Sequence, residues 1–355
     1  MNKKVITGIV LAAIAVASIC GGLKYHQHKV ELEELAKEKA REEKEIEEAS
    51  SHITVGIKGD ENTIVFQGEP YVESGAFGID NRTGPIADCK ITGKVDSEKP
   101  GIYKVKYTFK SGKGIKSITR DVKVVKSEET LKNTGGIPVI SYHNVCTDDD
   151  YHAMKNRFCI NASLLESHMK YLKDNDYYFP SFAELKAYVD GKISLPRKSV
   201  IVTFDDGDIS FFKNGLSILE KLKVPATEFM IGKNQAEELI KQYPSRYLQF
   251  QNHSYGLHYY GSNGQPMVKN LSKGDIAADL MRNSNIVGNN DAFAYPYGKF
   301  SQASIEATSE LGIPCVFLFH PDGIVRVGSN SKLLQRIEVR NTTSLLEFQQ
   351  MVNIA

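Results

Sequence analysis

Along the chain, the arrangement of hydrophobic and polar positions changes in steps. Val5 to Gly22 is an unbroken apolar run of about 18 residues, preceded by Lys3 and Lys4 and followed by Lys24. That length lets a helix span a bilayer. The leading lysines put the short N-terminus (residues 1–4) on the cytoplasmic side, which predicts a transmembrane signal-anchor over residues 5–23. A cleaved signal peptide and lipidation at Cys20 are the alternatives; the lipidation box Ala17-Ser18-Ile19-Cys20 carries Ile where a small residue is wanted. All three export the rest of the chain. With the anchor retained, this is a single-pass protein of the cell membrane whose folded part is extracellular.

Residues 24–48 are dense in Glu, Lys and Ala, with six Lys or Arg and nine Glu. Pairs such as Glu33 and Lys37 have helical spacing, while Val30, Leu32, Leu35 and Ile46 keep no heptad. A solvated helical stalk is predicted over residues 24–51. Residues 52–126 turn to short runs rich in β-branched and aromatic residues: Ile53–Ile57, Thr63–Phe66, Tyr103–Phe109 and Ile118–Val125, separated by Gly, Pro, Asn and Asp. The alternation in Tyr103-Lys-Val-Lys-Tyr-Thr-Phe is that of a half-buried strand. A small all-β sandwich is predicted there, followed by a linker over residues 127–136 that ends in Thr134-Gly135-Gly136.

From Ile137 to Ala355, apolar runs alternate with helical patterns. Strands are predicted at Pro138–Tyr142, Ser199–Phe204, Ala226–Ile231, Tyr247–Gln251, Phe293–Tyr295, Cys315–Phe319 and Arg336–Val339. Helices are predicted at Ser163–Asp174, Phe182–Asp190, Ile209–Leu222, Asn234–Lys241, Lys273–Arg282, Gln302–Glu310 and Ser344–Val352. Ser163 with Glu166, Ser181 with Glu184, and Ser272 with Asp275 have capping-box spacing. The alternation makes this part α/β, a (β/α) barrel, with a doubly wound open sheet as the alternative.

Composition adds a little. In 355 residues, 41% are apolar and 25% charged, so the chain is neither disordered nor collagen-like. The net charge is +1 and no basic stripe stands out, which removes any general reason to expect nucleic acid as a partner. There is no Trp but 17 Tyr and 16 Phe, so any sugar stacking falls to Tyr and Phe. Of the five cysteines, Cys20 lies in the anchor; Cys89, Cys146, Cys159 and Cys315 fit no zinc ribbon. Cys146 and Cys159 bracket a polar loop, and the sequence leaves open whether they pair or stay free.

Chemistry concentrates where strands end. Val200-Ile-Val-Thr-Phe runs into Asp205-Asp206-Gly207. Adjacent carboxylates at a strand's C-terminal end point different ways, so one can bind a metal while the other serves as a base. An ordinary turn with a helix cap is the competing reading. Asn252-His253-Ser254-Tyr255-Gly256-Leu257-His258 carries two histidines five apart. That step suits neither one helix face nor one strand face. The two converge only if the chain turns between them, and Gly256 permits a turn. Phe293-Ala294-Tyr295-Pro296-Tyr297-Gly298 is a strand entering a Pro-bounded turn that could offer the Tyr297 N–H to an oxyanion. Val139-Ile-Ser-Tyr-His143-Asn144 ends a strand in a histidine able to act as an acid or to sit satisfied in a core.

These residues carry two resemblances. The stretch from Glu69 to Gly84 (EPYVESGAFGIDNRTG), with GKVDSEKPGIYKVKYTF after it, resembles the Ig-like modules of bacterial surface proteins, which implies a spacer or adhesive role without catalytic residues. TFDDG, HSYGLH and FAYPYG, in that order on strand ends, resemble the polysaccharide deacetylases of carbohydrate esterase family 4. The five-step histidine pair and the early YHN are similar to the branch acting on poly-β-1,6-N-acetylglucosamine. This resemblance covers residues 137–355 and implies a distorted (β/α) barrel. It implies Asp205 as general base, Asp206, His253 and His258 as metal ligands, the Tyr297 amide in the oxyanion site, and His143 as acid. It implies one divalent ion, zinc first, with cobalt, nickel or iron also fitting.

The chain departs from the family in three ways. The arginine that usually precedes the Pro-Tyr turn is replaced by Phe293 and Ala294, leaving Arg336 as the candidate partner of Asp205. Leu318-Phe-His320 mimics the family's late Leu-x-His in another setting, so His143 is preferred to His320 as acid. The missing Trp assigns the substrate groove to Tyr255, Tyr259, Tyr260, Tyr295 and Tyr297. The expected activity is metal-dependent removal of N-acetyl groups from N-acetylglucosamine units of a surface polysaccharide, with no obligate protein partner. Peptidoglycan deacetylation, O-acetyl esterase activity and non-catalytic glycan binding are the alternatives.

Overall fold

In this computed structural model, residues 3–128, 131–149, 156–319 and 323–354 are described, with the backbone alone for residues 3–23. Helix α1 (Lys3–Ser51) runs unbroken for 49 residues, so the predicted anchor and stalk lie on one helix. Among the described residues no helix is long and apolar enough to cross a membrane. The side chains of Val5–Gly22, on which the anchor expectation falls, are outside the described set. The end of α1 is fastened to the next domain: Ser50 Oγ accepts the Ile115 N–H at 2.9 Å, and Glu45 pairs with Lys113.

The sandwich contains β1 (Ile53–Ile57), β2 (Asn62–Phe66), β3 (Ala76–Asp80), β4 (Gly84–Pro85), β5 (Cys89–Thr92), β6 (Gly101–Ser111) and β7 (Gly114–Val125). One sheet has the order β1-β3-β4 and the other β2-β7-β6-β5. Alternation in β6 places Val105, Tyr107 and Phe109 inward and Lys104, Lys106 and Lys110 in solvent. Buried Arg120 ties the domain together, donating to the carbonyls of Lys58 and Gly75 at 2.9 and 2.8 Å and to Thr63 Oγ1 at 2.6 Å.

The third region begins with β8 (Ile137–Tyr142), β9 (Asn144–Cys146) and β10 (Cys159–Asn161). Cys146 and Cys159 form a disulfide between β9 and β10, which settles the pairing the sequence left open. Helices α2 (Ala162–Asp174) and α3 (Phe182–Val189) follow. Next come β11 (Ile201–Asp206), α4 (Ile209–Asn214), α5 (Leu216–Leu222), β12 (Ala226–Met230), α6 (Ala236–Gln242), β13 (Leu248–Asn252), α7 (Lys273–Val287), β14 (Ala292–Ala294), α8 (Gln302–Glu310) and β15 (Cys315–Phe317). The chain ends with β16 (Ile324–Val325), β17 (Ile337–Glu338) and α9 (Leu345–Val352).

Strand order is β15-β14-β13-β12-β11-β8, with β16 antiparallel and β17 parallel to β8. The strands therefore follow one another in sequence around the sheet, as in a barrel, rather than reversing as in a doubly wound fold. The ring is irregular where it closes. Leu334 bridges to Phe317 of β15, and three residues later Ile337 pairs with Ile140 of β8. Inside the ring Val139, Ile201, Phe229, Ala294 and Phe317 form one core, while Val202, Phe204, Phe211 and Phe250 belong to the layer beneath the helices.

Two predicted helix details change. Asn161, not Ser163, caps α2, its Oδ1 accepting the Ser163 and Leu164 N–H groups at 2.8 and 3.3 Å. The helix expected over 209–222 breaks at Gly215, where a Cβ would stand 2.9 Å from the Phe211 ring and 3.0 Å from Val145. The Ser181–Glu184 capping box forms as expected.

The sandwich sits against the N-terminal ends of the barrel strands, opposite the ends that carry Asp205 and His253. The Asp60 N–H donates to the Phe179 carbonyl at 2.8 Å, Lys58 pairs with Asp291 at 2.6 Å, and Ser181 Oγ meets Ser74 Oγ at 2.7 Å.

One core group makes folding pH-dependent. His168 of α2 is fully buried, stacks on Phe348 at 4.2 Å and meets the Tyr142 hydroxyl at 3.1 Å through Nδ1. Burial pushes its pKa down to about 4. The folded pKa lies below the unfolded value, so this stability is complete above about pH 6.5 and is lost as pH falls towards 4. The loss amounts to about 3 kcal/mol. Denaturant unfolding of the wild type and His168→Gln should show a stability difference that shrinks by that amount between pH 7 and pH 4. A difference constant with pH would refute the assignment.

Candidate active site

Asp205 and Asp206 end β11, and their side chains separate as expected. Asp205 points into the ring, its side chain fully buried. Its Oδ1 and Oδ2 each accept a hydrogen bond of 2.7 Å from Arg336, through Nη1 and Nη2 respectively. Arg336 Nη1 also reaches Thr203 Oγ1 at 3.2 Å, and the guanidinium lies 5.2 Å from the Phe229 ring centroid and 4.8 Å from that of Phe319. Arg336 thus pairs with Asp205, reaching it from the segment that closes the barrel, where Phe293 and Ala294 offer no cation. Burial alone would raise the Asp205 pKa. The Arg336 charge, with those of His253 and His143, outweighs it and holds the carboxyl below its ordinary range.

Asp206 adopts a left-handed backbone (φ 81°), as does Gly207 (φ 70°). This turn swings the Asp206 carboxylate toward the histidines. Its Oδ1 lies 3.4 Å from His253 Nε2 and 3.4 Å from His258 Nε2. Burial works to raise the Asp206 pKa, but the neighbouring His253, with His143 and His258, holds it well below the usual carboxylate range. At His253, burial is outweighed by Asp206 and Asp205, and the pKa ends above its ordinary value. At His258, burial and the neighbouring His253 bring it down to about 4.

The two histidines converge through a turn, but Gly256 is not its pivot. Ser254 is the left-handed residue (φ 71°), and its Oγ accepts the Leu257 N–H at 3.1 Å. The turn is held from α7. Asp279 accepts the Tyr255 N–H at 2.7 Å and the Gly256 N–H at 2.9 Å, while buried Asn283 donates to the Ser254 and Met230 carbonyls at 2.9 and 2.8 Å.

The donor set suits a metal ion. One ligand atom from each of Asp206, His253 and His258 lies within 4.8 Å of the others. Asp206 Oδ1 is buried and has no hydrogen-bond partner among the described residues. His253 Nδ1 stands 2.8 Å from the Ala294 carbonyl, which can only accept; Nδ1 thus carries a hydrogen, and Nε2 is the ring atom left for a metal ion.

His143 follows β8 directly and lies beside β11, as the pairing of Tyr142 with Phe204 requires. It is buried, its ring 4.7 Å from Phe158 and 5.9 Å from Phe319, and Nδ1 has no hydrogen-bond partner among the described residues. His320 lies outside the described residues. Tyr297 is left-handed (φ 58°). The Gly298 and Lys299 N–H groups close the turn onto the Tyr295 and Pro296 carbonyls, leaving the Tyr297 N–H outside that pattern. The Tyr297 ring packs at a tilt of 39° against His258 at 4.2 Å and against exposed Tyr260 at 4.5 Å. Tyr255 lies under Arg282 at 3.5 Å, and Tyr259 is exposed. Tyr295 is fully buried, packed edge-on against Phe293, and is core rather than groove wall. An open pocket of about 480 Å³ beside Asp206 and His258 is bordered by Ile209, Ile231, Asn234 and Gln235.

Three residues of the site were not foreseen: Asp279, Asn283 and Glu228. Glu228 is signalled by a charge inside the apolar run Ala226–Ile231. It is fully buried, and burial, with Asp205, Asp206 and Asp208 nearby, pushes its pKa well above the ordinary range despite the Gly207 N–H it accepts.

A carboxylate and two histidines at the C-terminal ends of barrel strands, beside a second carboxylate paired with arginine, form a donor set of the kind that metal-assisted hydrolases use. Residues 192–316 match the Polysaccharide deacetylase family, and residues 55–124 match the Bacterial surface protein, Ig-like domain family. The chain carries a polysaccharide deacetylase domain behind an Ig-like surface domain and is a hydrolase of the de-N-acetylase class. It is 27% identical over 197 residues to a poly-beta-1,6-N-acetyl-D-glucosamine N-deacetylase of Staphylococcus aureus, covering 51% of this chain and 67% of that protein. Among solved structures, the Streptococcus pyogenes deacetylase PplD in complex with acetate is similar in fold (TM-score 0.53, 22% identity, 61% of this chain and 98% of that one). IcaB from Ammonifex degensii has a TM-score of 0.51 at 25% identity, covering 62% of this chain and 98% of that one.

Proposed function

We propose that this protein removes N-acetyl groups from N-acetylglucosamine units of a poly-β-1,6-linked surface polysaccharide, using one divalent ion held by Asp206, His253 and His258. The observation that carries the metal reading is the convergence of these three ligand atoms, with no hydrogen-bond partner for Asp206 Oδ1 among the described residues. The substrate reading rests on the staphylococcal relative. Zinc is the proposed ion, with cobalt, nickel and iron as substitutes. When bound, the ion supplies Lewis-acid polarisation of the amide carbonyl and of water.

The chain's own groups do the rest. Asp205, kept ionised by Arg336, takes a proton from the attacking water as its oxygen bonds to the carbonyl carbon. The Tyr297 N–H donates to the developing oxyanion. His143 gives a proton to the departing nitrogen as the C–N bond breaks, leaving acetate and a free amine. Tyr260 and Tyr297 offer stacking faces to the neighbouring sugar.

The proposed location is outside the cell membrane, on the N-terminal helix as anchor. The apolar run Val5–Gly22 and the Cys146–Cys159 disulfide, a bond of oxidising compartments, support it.

Acetate and free-amine release should be compared on β-1,6-linked N-acetylglucosamine oligomers, chitin oligomers and peptidoglycan, before and after chelation and with zinc restored. Activity on the β-1,6 oligomers, abolished by chelation and recovered with zinc, is expected. Activity on peptidoglycan alone would overturn the substrate, and undiminished activity after complete metal removal would overturn the metal site.

A further inference from the structure

Glu228 sits where a carboxyl group is costly. On β12 it pairs in register with Phe204 on one side and Phe250 on the other, so it shares their face in the layer between sheet and helices. Phe204, Phe211 and Phe250 in that layer are buried, and Glu228 itself is fully buried. Its Oε2 has no hydrogen-bond partner among the described residues. Only Oε1 is used, accepting the Gly207 N–H at 2.8 Å. Burial of a polar group with half its bonding unmet is retained where it serves something other than stability.

That something lies one residue away. Gly207 follows Asp206, and both are left-handed. For Asp206, a residue with a Cβ, this conformation is strained. Gly207 holds φ 70°, a backbone conformation in which any side chain would be strained. Immediately afterwards Asp208 caps α4, its Oδ1 accepting the Ser210 N–H at 2.8 Å. The Asp206–Gly207 turn is thus held at its far end by the helix cap, and in its middle by Glu228. Released from Glu228, the Gly207 peptide can turn and the strain at Asp206 can relax. The Asp206 carboxylate then leaves the position 3.4 Å from both histidine Nε2 atoms.

We infer that Glu228 is a positioning residue for the metal centre: by accepting the Gly207 N–H it holds Asp206 in its strained, ligand-presenting conformation, and it does so at the expense of core packing. This rests on the reading of Asp206, His253 and His258 as metal ligands.

Two effects of opposite sign are expected. Glu228→Leu places an aliphatic side chain in a row of phenylalanines, so the metal-free protein should melt at the wild-type temperature or higher. The same variant should bind metal about 10- to 100-fold more weakly, the usual consequence of losing a group that orients a ligand. Glu228→Gln keeps a carbonyl oxygen for the Gly207 N–H and should bind metal within about threefold of wild type.

The experiment is titration of the metal-free full chain with Co(II) and with Zn(II), without any sugar. Affinity is read by calorimetry and by the visible absorption of bound Co(II), and Tm of each metal-free variant is measured in parallel. Weaker binding by Glu228→Leu at unchanged or raised Tm, with Glu228→Gln near wild type, supports the inference. Wild-type affinity in Glu228→Leu overturns it, as does Glu228→Gln losing as much affinity as Glu228→Leu. Because no substrate is present, an error about the sugar leaves the outcome unaffected. Absence of stoichiometric metal in the wild type would overturn the metal-site reading and this inference together.

Discussion

Asp205→Asn is expected to lower kcat on N-acetylglucosamine oligomers about a thousandfold, within the usual range for loss of a general base, while metal binds with unchanged stoichiometry. The two carboxylates of the TFDDG motif have separate surroundings, and the prediction comes from that separation. Both Asp205 oxygens are engaged by Arg336, whereas the Asp206 oxygen that faces His253 and His258 has no hydrogen-bond partner among the described residues. An amide at position 205 retains the shape of the side chain but cannot take the proton of the attacking water. It also leaves the Arg336 charge less well matched, so Tm should be followed to confirm that the assayed protein is folded. Metal content by atomic absorption, set beside acetate release, distinguishes the outcomes. Full activity would remove Asp205 from the mechanism, and joint loss of metal and activity would make it a ligand instead of a base.

The parts of this molecule legible in the sequence were those where local pattern and tertiary role coincide. Ile137–Tyr142 and Ile201–Asp206 are mostly apolar runs that meet a polar site residue at their ends, so strand position and candidate chemistry appear together there. The short strands β3, β4 and β5 carried no such signal. In β3, Gly78 interrupts the pattern because the Phe109 ring packs where a Cβ would be, 2.6 Å away, which is a tertiary constraint. The turn between the two histidines was legible as a necessity but not in its location. Gly256 looked permissive, yet Ser254 takes the left-handed conformation because Asn252 and Asp279 collect the amides around it. Asp279 and Asn283 lie in a helix some two dozen or more residues downstream, and nothing in their local sequence distinguishes them from surface positions. Tyr295 shows the opposite failure. Its place within a site motif suggested the groove, but strand alternation turns it into the core beside Phe293.

Arg336→Met is expected to destabilise the fold by about 3–5 kcal/mol at neutral pH, the cost of leaving one partner of a buried ion pair uncompensated. Both side chains are fully buried and joined by two hydrogen bonds of 2.7 Å. Arg336 holds the folded pKa of Asp205 below its unfolded value near 3.9, so the pair's contribution is complete above that pH and is lost as pH falls through the folded pKa. In Arg336→Met the direction reverses. Burial, the largest influence on Asp205, is then unopposed by its main partner and raises the carboxyl. The variant's deficit should therefore grow with pH above about 4 and narrow in acid. The same rise protonates the base under assay conditions, moving the acidic limb of kcat/KM to higher pH. Combining Arg336→Met with Asp205→Leu separates these effects. With neither charge left in the ring, most of the lost stability should return, while activity stays absent because no base remains. Urea unfolding of the single and double variants at pH 7 measures the first effect, and a pH–rate profile of Arg336→Met measures the second. If Arg336→Met unfolds at the wild-type midpoint and its acidic limb is unmoved, Arg336 neither bears the buried charge nor tunes the base.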